Sequence, residues 1–145
     1  MNTIRWIFGI IISIVILLIG PALIEPILNL IFSIAGGFGR TGWFDMPTDF
    51  GQNLSFFNGS LLPMCFAIVI AYGLGGFCCG KIIPAENGKL IKWICGIMIA
   101  ILNIVICIYV WNGEHWFYSS IFAVTLIIAG TIYVVTAENV NEDYN

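Results

Sequence analysis

Charge is what this sequence has least of. Eight acidic side chains, five lysines and arginines and one histidine are spread over 145 residues, so charged residues make up 9% of the chain, where a soluble domain carries about 25%. So few charges cannot cover a globular surface in water, and lipid must be much of the solvent. Five scattered cations exclude a basic nucleic-acid face, and the apolar composition excludes intrinsic disorder. Cys65, Cys78, Cys79, Cys95 and Cys107 all lie inside apolar runs, and no two form a C-x-x-C pair. That excludes a disulfide scaffold and leaves little support for a membrane disulfide oxidoreductase, so the five read as small buried hydrophobes. Catalytic signatures are missing too: there is no G-x-S-x-G, no H-E-x-x-H and no pair of carboxylates inside an apolar run. The expectation is a non-catalytic chain with no cofactor and no metal ion.

What is present is hydrophobic sequence, 60% of the chain, with a mean hydropathy of +1.02. The few charges mark where the apolar runs stop. From Trp6 to Ile24, between Arg5 and Glu25, there is no charge and one hydroxyl, Ser13. At the helical rise this run covers about 28 Å, close to the hydrocarbon thickness of a bilayer. Three further runs end at Lys81, between Lys92 and Glu114, and between His115 and Glu138. The predicted fold is therefore an all-α integral membrane protein, one domain of four transmembrane helices over about 6–25, 61–80, 93–112 and 116–137, followed by an acidic, frayed tail over 138–145. The first span is too long for a signal-peptide core despite the small residues Ser33 and Ala35, and reads as an uncleaved anchor.

The cations fix an orientation. Arg5, Lys81, Lys89 and Lys92 fall on one side of these spans and Arg40 alone on the other, which predicts both termini in the cytoplasm. Glu25, Asp45, Asp49 and Glu114 then make the outer side acidic. Trp6, Trp93, Trp111 and Trp116 sit at span ends, the depth an amphipathic indole prefers. The Ile- and Asn-rich usage suggests a bacterial source, hence a cytoplasmic (inner) membrane.

The outer connection, Glu25 to Ser60, is far longer than two adjacent helices need. Residues 26–34 stay apolar behind Pro26, so they either continue helix 1 or form a separate interfacial helix. Residues 35–60 interleave glycines with Phe38, Trp43, Phe44, Phe50, Phe56 and Phe57. So many aromatics are costly in water, and this segment is expected to lie against the bilayer or the bundle mouth, with a short helix over Pro47 to Phe57. Gly37 to Gly42 matches G-x-G-x-x-G by letter, but outside a βαβ unit that pattern binds no dinucleotide. Glu114 and His115 read as a solvated turn.

Two sets of residues are candidate sites. Ala67, Ala71, Gly75 and Cys79 recur every fourth position on one helical face, and Gly76 and Gly80 form a GxxxG pair on the adjacent face. Small residues let helices approach closely in lipid, so these faces either close the bundle or hold a partner, and Gly96, Ala100, Ser119 and Ala123 offer matching surfaces. The second set is polar. Glu25, flanked by apolar sequence, and Asn103, near the middle of the third span, are expensive in lipid and are candidates for an ion or partner site with Arg40, Asp45 and Asp49. Asn103 is expected to turn into the bundle toward Tyr72 or Thr125.

These features support two expectations. The first is a membrane accessory, assembly or immunity-type protein that works through helix packing and its outer loop, its partners being the bilayer and either another membrane protein or copies of itself. The second is an oligomeric small channel or transporter with a cation-favouring acidic mouth. Nucleic acid is expected of neither.

Overall fold

The computed structural model describes residues 2–34, 62–84, 88–111 and 116–143. Four helices account for nearly all of them: α1 (Asn2–Ile34), α2 (Leu62–Ile82), α3 (Gly88–Val110) and α4 (Trp116–Asp143), with no strand among the described residues. Each contains a stretch long and apolar enough to cross a membrane, Thr3–Leu28, Pro63–Ile82, Leu90–Tyr109 and Ser119–Glu142. Four helices long and apolar enough to cross a bilayer, among the described residues, give the chain the make-up of an integral membrane protein. The expected short helix over Pro47 to Phe57, the G-x-G-x-x-G segment and the Glu114–His115 turn lie outside the described residues.

α1 runs unbroken through Pro21 and Pro26, so residues 26–34 continue the first helix. Each proline removes a backbone donor and frees a carbonyl four residues earlier, a loss the rest of the helix absorbs. Its 33 residues extend about 50 Å against a hydrocarbon core of about 30 Å, so α1 must tilt or project beyond the bilayer.

The far end of the chain departs from expectation. Residues 138–143 are helical and belong to α4, and Asn141 is buried. Composition alone pointed to a frayed tail; tertiary hydrogen bonds from Asn141 to the end of α2 hold it instead.

Contacts between helices give the topology. Gly9 of α1 meets Ile82 and Ile83, while Gly20 meets Ala71, so α1 and α2 are antiparallel. Gly76 meets Tyr133 and Gly80 meets Ala137, so α2 and α4 run parallel. Lys92 pairs with Glu138 and Asn103 with Leu126, so α3 and α4 are antiparallel. The chain threads up, down, up and down. α2 packs against both α1 and α4, and α4 against both α2 and α3, leaving α1 and α3 without a close interface to each other. Burial follows this order: half of the α2 span and 39% of the α4 span are buried, against 17% for each of α1 and α3. α2 and α4 are a central parallel pair, and α1 and α3 flank it with rows of exposed Ile and Leu such as Ile4, Ile11, Leu18, Ile97, Ile101 and Ile108.

Candidate functional site

The small residues of α2 serve two different neighbours. On one face Ala71 takes Gly20 of α1, and Gly75 lies against Leu17 and the Ser13 carbonyl. On the adjacent face Gly76 and Gly80 lie directly on the α4 backbone: a Cβ at either position would strike the carbonyl oxygen of Tyr133 or Ala137 and come within 3.0 Å of that residue's Cα. Ala67, Ala71, Gly75, Gly76, Cys79 and Gly80 are all buried inside the chain. Van der Waals contact between backbones replaces the hydrophobic drive that lipid does not supply, and it is spent here on holding α2 between α1 and α4.

Polar groups are collected into three layers. In the first, Tyr72 of α2 donates its hydroxyl to Oδ1 of Asn103 on α3, and Asn103 Nδ2 donates to the Leu126 carbonyl of α4 at 2.9 Å. Tyr72 is therefore the partner that the amide required, while Thr125 bonds the Ile121 carbonyl of its own helix. In the second layer each helix contributes one residue. Tyr133 Oη of α4 donates to Ser13 Oγ of α1 at 2.9 Å, Ser13 donates to the Ile10 carbonyl, and beside them the Cys79 and Cys95 sulfurs of α2 and α3 lie 3.7 Å apart. The third layer closes one end of the bundle. Arg5 Nε donates to the Ile82 carbonyl at 3.0 Å, Asn141 Nδ2 reaches the carbonyls of Gly80 and Ile83 at 3.1 and 2.8 Å, and Lys92 lies 3.7 Å from Glu138. Carbonyls at a helix C-terminus have no partner in their own helix, and here Arg5 and Asn141 supply it for α2.

Of the five polar candidates the structure describes two, Asn103 and Glu25. Asn103 is on α3 and committed to internal bonds, whereas Glu25 is half-buried on α1, which has no close interface with α3. Arg40, Asp45 and Asp49 lie outside the described residues. Sequence reasoning passed over Tyr133 and Asn141. The usable signal was the isolation of Ser13, the one hydroxyl in its span, which needs a partner from another helix in lipid.

What the polar layers leave open is a groove between α3 and α4 of about 660 Å³. Gly96, Ala100, Ala123 and Gly130 keep its floor low, Ile104, Ile127 and Val134 wall it, and Lys92 stands at one end. A second hollow of about 300 Å³ shares Lys92, Gly96 and Ala100 and is bounded by Trp93 and Ile97. The small residues of α3 therefore face outward, unlike those of α2. Among the described residues no group of three or more His, Cys, Asp or Glu side chains is placed to hold a metal ion. Comparison with known protein families, with curated proteins and with solved structures finds no match.

Proposed function

We propose that this chain is a non-catalytic accessory subunit of a membrane protein, and that the groove between α3 and α4 receives a transmembrane helix of its partner. The observation that carries this reading is the division of the small residues. Those of α2 are consumed by the chain's own packing, while Gly96 and Ala100 of α3 and Ala123 of α4 line an open groove. Length argues for a helix over a lipid. From Lys92 to Ile108 the groove follows α3 for about 24 Å, which exceeds the roughly 15 Å that one leaflet's chains span in a 30 Å core. A helix with its own small residues fills such a groove by close backbone approach.

The orientation belongs to the same proposal. Arg5, Lys81 and Lys92 gather at the end of the bundle that also holds both chain ends, and the excess of cations supports a cytoplasmic location for that end. A bacterial inner membrane suits the composition. The aromatic outer connection supplies a second contact with the partner.

An oligomeric cation channel is the competing reading. It gains support from the acids assigned to the outer side, and it loses support from Asn103, whose amide is already bonded on both sides. Purification in mild detergent with mass spectrometry of what remains bound tests the choice, with Ala100→Leu as the comparison. Ala100 is exposed, so leucine there fills the groove without disturbing the core. The expected result is an associated membrane protein that is recovered with the native chain and lost with Ala100→Leu. Equal recovery in both would overturn the groove as the contact.

A further inference from the structure

Cys79 and Cys95 carry an inference that is independent of any partner. Their sulfurs are 3.7 Å apart, one from α2 and one from α3, and both side chains are fully buried. The other three cysteines differ: Cys65 is buried elsewhere, and Cys78 and Cys107 are only half-buried. Neighbouring Cys78 projects from a different face of α2, so the pair that the fold creates is not the pair adjacent in sequence. Depth matters as well. Cys79 is two residues from Lys81 and Cys95 three from Lys92, so the pair sits within about 5 Å of helix rise from the charged end of the bundle.

We infer that Cys79 and Cys95 form a redox-responsive dithiol, closed by hydrogen peroxide into a disulfide that ties α3 to α2. Two thiols this close in an apolar core have limited options. A divalent metal ion needs three or four ligands, and among the described residues no third His, Cys, Asp or Glu joins the pair, whereas a disulfide needs only the two sulfurs. Peroxide is small and uncharged, so it enters where larger oxidants are excluded. Its O–O bond breaks as the Cys79 sulfur takes one oxygen, giving a sulfenic acid and one water. The Cys95 sulfur then attacks the Cys79 sulfur; the S–S bond forms, the S–O bond breaks, and the hydroxyl leaves as water with the Cys95 proton. Two thiols thus lose two electrons and two protons, which peroxide takes up as two waters. The sulfurs must close from 3.7 Å to about 2.05 Å. α2 and α3 lack a close backbone interface of their own, so this closure needs a small inward shift of α3 and no repacking of the central pair. A dithiol reductant reverses it.

The test uses the full chain in liposomes. After peroxide treatment, quenching and denaturation in detergent, a polyethylene-glycol maleimide is expected to tag three cysteines, against all five before treatment or after reduction by dithiothreitol. Cys79→Ser is expected to keep four tags with or without peroxide, whereas Cys95→Ser leaves Cys79 as an unresolved sulfenic acid and is expected to drop from four tags to three, restored by dithiothreitol. Because a serine in the core can disturb folding, the native chain decides alone: unreduced peptide mapping is expected to show the segments containing Cys79 and Cys95 linked, two hydrogens lighter than their sum. Five tags after prolonged peroxide, or lost tags that map to Cys78 or Cys107, would overturn the inference. Oxygen adducts without a linked peptide would overturn it equally.

Discussion

Replacing single glycines with alanine tests how the central pair is held, because one substitution is expected to act with opposite sign at different positions. At Gly76 and Gly80 the new Cβ meets the backbone of Tyr133 or Ala137, its Cα at 3.0 Å and its carbonyl carbon at 3.1 Å. Backbone in the middle of a helix cannot rotate away as a side-chain tip does. α2 and α4 must therefore part by several tenths of an ångström along their whole contact, at a cost of about 1–3 kcal/mol per site, typical of overpacking. At Gly73 and Gly96 the nearest atoms are methyl carbons of Ile132 and Val134, at 3.7 and 3.9 Å. These are ordinary contacts. There the change removes only the entropic penalty of glycine in a helix, so stability is expected to be unchanged or to rise by about 0.5–1 kcal/mol. Unfolding of each variant by sodium dodecyl sulfate from a mild detergent, followed by circular dichroism, measures the differences. If Gly76→Ala and Gly80→Ala match Gly73→Ala within about 0.5 kcal/mol, the glycine contact between α2 and α4 does not hold the fold.

Three further outcomes are expected. Tyr72→Phe and Asn103→Ala should each destabilise, and their double-mutant cycle should give a coupling of about 0.6 kcal/mol and at most about 1.7, since interhelical hydrogen bonds in lipid are weak; zero coupling in the same unfolding assay would count against that bond. Asn141→Ala removes both side-chain bonds to the carbonyls of Gly80 and Ile83, and a loss of about 1–3 kcal/mol is expected, with faster amide hydrogen exchange over 138–143; exchange as fast in the native chain would show that the α4 extension frays. Ala100→Leu should leave detergent stability within about 0.5 kcal/mol of native, which separates its effect on partner recovery from an effect on folding.

The spans were legible because the charges that end them are so few. Arg5, Lys81, Lys92 and Glu138 each lie near the end of a helix, where solvation by water is available. The GxxxG pair was legible as a close-packing surface, but not its partner, because a stripe of glycines does not say which helix will lie on it. Asn103 was legible for a different reason: an amide in lipid needs a partner, and Tyr72 was within the choices. Tyr133 and Asn141 were not legible. A tyrosine within an apolar run looks like core, and an asparagine among acids looks like a tail, until the fold brings Ser13 and the carbonyls at the end of α2 beside them. The α3–α4 groove is likewise a property of two helices together: Gly96, Ala100 and Ala123 were legible as small-residue surfaces for packing, but not that the fold leaves them lining an open groove.

Cation flux through proteoliposomes that contain only the purified chain is the most direct test of the accessory reading. That reading expects flux no greater than in empty liposomes, and no difference between the native chain and Glu25→Gln. Cation conduction by the native chain alone, reduced by Glu25→Gln, would contradict it and establish the channel in its place.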